Sequence, residues 1–446
     1  MINLRISDFR VNKTMSSTDI PKEFEQRAHT GYAALLIGNG EKDISSWAYS
    51  GYNPHSVIYY HKGEFQIISS QGERVIRKDL FEGWQQLLDN SNYEDYAFPV
   101  NHCGGIGYLT YDTLHLIEKV KDDTEANYSM PNLCWVFYNN YKVYDLHENQ
   151  LWEIQLEYEN PSSLNSEDDW GNFFKVDNLQ SECSEDEYKS KVEKIREYIF
   201  EGDVYEVNLS QQIRGDFKGN PYKLFQKLYS INDAPYSAFL NFGDHKIVCN
   251  SPEMFLHCED RVVETRPIKG TIARGLDETT DHKNREILLS SKKDEAELFM
   301  IIDLLRNDIG KVCEIGSVKV LESKRLEAYQ NVYHLIGIIK GVLAEENSYI
   351  DLIKATFPGG SITGCPKVRC MEIIAELESY KRNLYTGTVF IMNNNFINSN
   401  IVIRSGVITD DKIFFNSGGA VTIDSEAQSE FDEIQSKMSS LMKSVL

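Results

Sequence analysis

From Met1 to about Asn160 the chain is a succession of short apolar or alternating runs, among them "AALLIGNG", "SVIYYHKGEFQIISS", "PNLCWVFYNNYKVYDL" and "QLWEIQLEY", each closed by turn residues. A period of two sends one row of side chains inward and the next outward, so these runs predict antiparallel strands with a few helices between them. The pattern breaks at "NPSSLNSEDDWGNFFKVDNLQSE", residues 160–182, which is polar and rich in turn formers. The main boundary is placed there: a β-rich N-terminal region over 1–160, a linker over 161–183 and a larger domain over 184–446.

Ser184 opens a helix after the break. It forms a capping box with Glu187, the apolar positions Tyr188, Val192, Ile195 and Ile199 share one face, and Gly202 stops the helix. Strand-like "VYEVNLSQQI" and "YSAFLNFG" follow, then strands around Val248 and Val262. Further on, helices near 294–309 and 366–378 alternate with strands "SVKVLE", "TGTVFIM" and "NIVIRSGVI", and a last helix runs from about Ser425. Long antiparallel strand pairs mixed with helices predict an α+β fold rather than a doubly wound parallel sheet.

Composition narrows the function classes. A formal net charge of -22 argues against a nucleic-acid or anionic-membrane partner, because phosphates are bound through clustered Lys and Arg. The eight cysteines, at 103, 134, 183, 249, 258, 313, 365 and 370, include no C-x-x-C pair, which points to neither a zinc site nor a disulfide frame. "MINLRISDFRV" lacks the basic start and apolar run of a leader, and no stretch approaches ~18 uncharged apolar residues, so a soluble cytoplasmic protein is expected.

Several stretches could carry chemistry. "RPIKGTIARG", residues 266–275, sets Lys269 on a turn-like stretch between Pro267 and the Gly270–Thr271 pair. In "SKKDEAELFMIIDLLRNDIG", Leu298, Ile301, Ile302, Leu305 and Ile309 form a buried stripe and Gly310 closes the helix, while Asp294 and Glu297 share another face in its first turns. The last helix has a capping box at Ser425 and Gln428, and Glu430, Glu433 and Lys437 lie on one face. Taken singly, the first acid pair reads as a complement to the helix dipole and the second as part of an intrahelical ion pair. If the two helices face each other, the four carboxylates make an oxygen-rich site suited to Mg²⁺. "FPGGSITGCPK" and "NSGGAV" read as glycine loops open to an anion, without the Walker pattern, and Arg404 in "NIVIRSG" reads as a strand arginine able to clamp a carboxylate.

Read together, "SPEMFL", "RPIKGTIARG", "DEAELFMIIDLLRNDIGKV", "YHLIGIIKG", "FPGGSITGCPK", "LYTGTVF", "IVIRSG" and "EFDEIQSK" match the chorismate-utilising enzymes in order and at fitting spacing. Within that family the chain resembles the component I subunits of aminodeoxychorismate synthase, whose nearest relative is anthranilate synthase component I. The resemblance is dense over 184–446 and looser before it, chiefly through "GGIGYLTYD". It implies two antiparallel sheets packed as a sandwich flanked by helices, with chorismate in a cleft beside Mg²⁺. It makes Glu297 and Glu433 direct metal ligands and places Asp294 and Glu430 behind them through water. Tyr385, Arg404, Gly418, Gly419, Ala420 and Lys437 match positions that grip the enolpyruvyl side, and Gly270 and Thr271 match those that line the ring. His334 matches a histidine beside the leaving hydroxyl, and Glu253 a general acid/base.

The resemblance also gives Lys269 a role. Anthranilate synthases carry alanine at this position, and the aminodeoxychorismate branch carries lysine. On the implied route Lys269 attacks ring carbon 2 and expels the 4-hydroxyl with help from Glu253; ammonia then attacks carbon 4 and expels the lysine. The product, 4-amino-4-deoxychorismate, is a precursor of 4-aminobenzoate and folate. With a reference pKa of about 10.4, only about one lysine in 2,500 is neutral at pH 7, so the site is expected to lower it by burial or a nearby cation.

Two positions depart from the pattern: Ala420 stands where many relatives have glycine, and Glu206 stands where water-adding relatives have lysine and ammonia-using ones often glutamine. No segment has the cysteine-elbow and histidine–glutamate arrangement of a glutamine amidotransferase, so a separate amidotransferase subunit is the expected ammonia source. Anthranilate synthase component I and a non-catalytic chorismate-binding regulatory relative are the alternative readings.

Overall fold

The computed structural model describes residues 4–14, 18–39, 46–91, 100–158, 163–164 and 166–445. Its centre is the pair Trp47–His61 and Leu133–Asp145, antiparallel from Trp47 opposite Asp145 to Tyr60 opposite Leu133. The register slips between Pro54 and Ser56, where proline has no N–H for the ladder. Trp135, Val136, Phe137 and Tyr138 are fully buried in sequence, so this strand is covered on both faces. Pairing links the described strands into one antiparallel network, and helices pack against it. The fold is α+β, as the alternating runs imply.

Strands from both sides of 161–183 belong to this network. Ala34–Ile37 pairs with Tyr236–Phe242, and Gly105–Leu109 pairs with Thr388–Met392. Within 161–183 itself, Phe174–Ser181 is a strand hydrogen-bonded to Glu206–Gly219. Its alternating "FKVDNLQS" carries that signal, although the polar residues around it read as a break.

The helix Glu185–Glu201 has both hydrogen bonds of the Ser184–Glu187 capping box and ends at Gly202, whose φ of 87° is left-handed. The helix Lys292–Gly310 buries Leu298, Ile301, Ile302, Leu305 and Ile309 and packs against the strand Val332–Val342. Fully burying one such aliphatic side chain contributes about 1.5–3 kcal/mol. The last helix, Ala427–Val445, lies on the strand Lys412–Val421 and the helix Glu185–Glu201.

Four local expectations are corrected. The Ser425–Gln428 capping box is not formed: Ser425 Oγ donates to Glu430 Oε1 at 2.6 Å, and Gln428 donates to Asp432 at 3.1 Å. "NSGGAV" is not a loop but the end of Lys412–Val421, paired residue by residue with Glu206–Gly219. Arg404 is not on a strand; it precedes Ser405–Thr409 with a left-handed φ of 51°. Lys269 is on the strand Ile268–Ala273, not on a turn.

Candidate active site

The strand carrying Lys269 runs against Val332–Val342, and its register slips between Lys269 and Thr271. Gly270 is the residue at that bulge, with a φ of 77° that side chains resist. A Cβ there would lie 3.0 Å from the Asp294 carboxyl group. Glycine therefore allows this strand to touch the first turn of Lys292–Gly310. That contact brings Lys269, Asp294 and Glu297 to the wall of one cleft of about 480 Å³.

The cleft is lined by Glu253, Lys269, Gly270, Thr271, Asp294, Glu297, His334, Tyr385, Arg404, Gly418, Ala420, Glu430, Glu433 and Lys437. Every residue given a catalytic, substrate-binding or metal role from the sequence is there except Gly419. Strand alternation accounts for the exception: Gly418 and Ala420 face the cleft, whereas a Cβ at Gly419 would point at Glu430, 3.4 Å away, and at Ile434. A Cβ at Gly418 would meet Tyr385 Oη at 2.8 Å.

Lys269 Nζ donates to Glu206 Oε1 at 2.6 Å, and both side chains are buried. Burial alone would push the lysine down, but Glu206 first, then Glu297 and Glu253, hold it above its ordinary value. The lowered lysine expected from the sequence is thus not what these groups produce by themselves. Burial pushes Glu253 up to about 7, against its hydrogen bond from Ser361 and the charges of Lys269 and Arg404. Burial and Arg404 push His334 down to about 3, so its imidazole is neutral near pH 7; it shares a 2.8 Å hydrogen bond with Thr271.

Acid dominates the part of the lining formed by the helices Lys292–Gly310 and Ala427–Val445. Burial pushes Glu297 up to about 7, with Glu206 and Asp294 adding to it against Lys269 and Lys293. Burial and then Glu433 raise Glu430, against a Ser425 hydrogen bond, and its buried Oε2 has no partner. Burial acts on Glu433 too, but the Lys437 ammonium, 2.7 Å away, holds it below the ordinary carboxylate range. Among the described residues no three of these four carboxylates bring oxygens within 4.8 Å of one another. Carboxylate donors, an unpartnered buried oxygen and like charges that raise one another nevertheless fit a hard divalent cation such as Mg²⁺. Asp112, His115 and Asp122 do converge within 4.8 Å, but Lys381 stands 3.5 Å from Asp122 and supplies positive charge there.

Sequence reasoning missed Ser361, Asn208 and Lys293 as lining residues. Ser361 Oγ donates to Glu253 Oε1 at 2.6 Å. It also missed Arg382, which is buried against Tyr385, donates to both oxygens of Glu378 at 2.7–2.8 Å, and donates to the backbone oxygens of Ile362 and Asn208. Arg382 thus ties together two segments of the lining.

Residues 45–443 match the family model of chorismate binding enzymes. The chain belongs to that family. This chorismate-binding enzyme is 34% identical to aminodeoxychorismate synthase component 1 of Bacillus subtilis over 443 residues, covering 92% of this chain and 91% of that protein. It is 31% identical to the Escherichia coli protein of the same name, with 94% of each covered. It is also 35% identical to anthranilate synthase component 1 of Aquifex aeolicus, covering 79% of this chain and 76% of that one. In structure it superimposes on anthranilate synthase component I from Streptococcus pneumoniae with a TM-score of 0.77 and 26% identity, covering 90% of this chain and 93% of that one. Among its described residues no helix is long and apolar enough to cross a membrane.

Proposed function

We propose that this enzyme aminates chorismate at ring carbon 4, giving 4-amino-4-deoxychorismate, and that it works as a component I taking ammonia from a separate glutamine amidotransferase. Overall identity does not separate the two branches, since relatives of both names lie between 31% and 40%. The observation that carries the reading is Lys269: a primary amine buried in the cleft among three carboxyl groups, Glu206, Glu297 and Glu253, where the resemblance gives anthranilate synthases an alanine.

The roles follow from the chemistry of each group. Lys269 is the nucleophile toward carbon 2. Glu253, held near 7 by burial, keeps a proton to give to the departing 4-hydroxyl and is fixed by Ser361. Neutral His334, anchored by Thr271, offers a hydrogen bond near the same hydroxyl without adding charge. Arg404, Tyr385, Lys437 and the backbone of Gly418 and Ala420 take the enolpyruvyl carboxylate. Glu297 and Glu433, with Asp294 and Glu430 behind them, would hold Mg²⁺, which supplies positive charge to orient and neutralise the ring carboxylate. The place of the reaction is upstream of 4-aminobenzoate and folate, in the cytoplasm.

The test is incubation of the protein with chorismate, Mg²⁺ and ammonium. A product carrying nitrogen at carbon 4, with pyruvate retained, is the expected result. Anthranilate fluorescence with pyruvate release would establish the other branch, and binding of chorismate without turnover would make the chain a non-catalytic relative.

A further inference from the structure

Glu206 does not line the cleft, yet it is the residue hydrogen-bonded to Lys269 Nζ, at 2.6 Å. It is fully buried, and its second oxygen, Oε2, has no hydrogen-bond partner. Its backbone is locked as well: Glu206 pairs with Cys365, and its carbonyl accepts from Cys370 Sγ at 3.1 Å. A Cβ at Gly364 would lie 2.1 Å from that carbonyl, so the neighbouring chain presses on Glu206 from the other side. An unsatisfied buried carboxylate oxygen is costly, and no structural need for this one is apparent. The charged groups around the lysine are Glu206, Glu297 and Glu253; those around Glu206 are Lys269 and Glu297, with the thiols of Cys365 and Cys370.

The geometry points to Glu206 as the positioning residue that seats Lys269 and accepts its proton, so that the amine reaches chorismate neutral without exchanging a proton with bulk water. This rests on the reading of Lys269 as the nucleophile. A buried ammonium–carboxylate pair carries the desolvation cost of two charges, and moving one proton from nitrogen to oxygen removes both at once. One Nζ–H bond breaks and one Oε1–H bond forms. The freed lone pair then bonds to carbon 2, the ring double bonds shift, and the carbon 4–oxygen bond breaks, the oxygen leaving as water with the proton that Glu253 held. When ammonia bonds to carbon 4, the electron pair returns to Nζ. Lysine leaves as a neutral amine and recovers its proton from Glu206, while the product nitrogen keeps the hydrogens of ammonia and Glu253 is reprotonated by water.

The experiment uses the full chain with ammonium as nitrogen source and compares Glu206→Gln and Glu206→Asp with wild type. Trace acetylation by acetic anhydride, read by mass on the peptide containing Lys269, gives the pH at which that amine is half neutral. In Glu206→Gln that midpoint is expected to fall by more than about one pH unit, because the counter-charge is gone. At the same time kcat is expected to fall by about 100-fold or more, with the KM for chorismate within about threefold. A more available amine that works more slowly is not what loss of a merely structural contact gives. Glu206→Asp, which keeps a proton acceptor, should recover part of kcat. Retention of kcat within about threefold in Glu206→Gln overturns the proposal, as does an unmoved acetylation midpoint. If Lys269→Ala still aminates carbon 4 at the full rate, the nucleophile reading fails instead, and the midpoint shift still reports whether Glu206 governs the lysine.

Discussion

Ser361 Oγ donates a 2.6 Å hydrogen bond to Glu253 Oε1, so a serine from the glycine-rich turn fixes a carboxyl group that lines the same cleft. That bond favours the ionised form, against the burial that pushes Glu253 up to about 7. In Ser361→Ala the carboxyl group should titrate higher, and the alkaline limb of kcat should move up by about one pH unit, with kcat at its optimum reduced about tenfold. Ser361→Thr keeps the hydroxyl and should restore both. The folded value lies above the unfolded one, so between about 4.5 and 7 the folded state binds more protons and this group makes the protein less stable as pH rises. A pH profile of kcat for the three proteins is the measurement, and a limb that stays put in Ser361→Ala would mean that another group sets it.

Mg²⁺ should raise the thermal midpoint of the protein without substrate, since the acid wall has more negative than positive groups. At about 100 times its dissociation constant the ion stabilises by about 2.7 kcal/mol. Glu297→Gln and Glu433→Gln should each lose most of that increment. A thermal shift as large in the variants as in wild type would remove both residues from the metal site.

Gly270→Ala should cost about 1–2 kcal/mol from the left-handed backbone alone. Crowding against Asp294, 3.0 Å from the new Cβ, adds to it. Because the bulge also sets where Lys269 points, activity should fall about tenfold or more in protein that is still folded. Urea unfolding and steady-state rates on the same preparation separate the two effects.

Arg382 and Glu378 form a buried, doubly hydrogen-bonded pair. Arg382→Met leaves Glu378 charged without its partner, and a loss of about 3–5 kcal/mol is expected. Arg382→Met combined with Glu378→Leu should be destabilised by less than the sum of the single changes. Additive losses in denaturant unfolding would show that the pair does not act as a unit.

Local periodicity made the pairs Asp294 with Glu297 and Glu430 with Glu433, and the stripe of Lys292–Gly310, legible as helix faces, while their place in one cleft followed only from the ordered motifs that carry the family resemblance. What was not legible is non-local. Glu206 lies 63 residues before Lys269, and Ser361 lies 108 residues after Glu253; no spacing rule connects either pair. "NSGGAV" was misread because adjacent glycines ordinarily mark a turn. Here they sit in a central strand because Tyr385 and Asn208 occupy the space a side chain at Gly418 would need. Arg404 was misread because the apolar run around it looks like uninterrupted strand, while the chain turns through a left-handed residue at that point.

The pairing of Gly105–Leu109 with Thr388–Met392 joins segments about 280 residues apart. During synthesis the earlier strand therefore emerges long before its neighbour exists, and its backbone donors and acceptors on that side stay open for most of translation. Such long-range closure slows folding and leaves a sheet edge ready to pair with the wrong chain. Production of this protein should accordingly be sensitive to temperature and to chaperone supply. A fragment starting at 184 should aggregate, because it would lack the strands that cover Tyr236–Phe242 and Thr388–Met392.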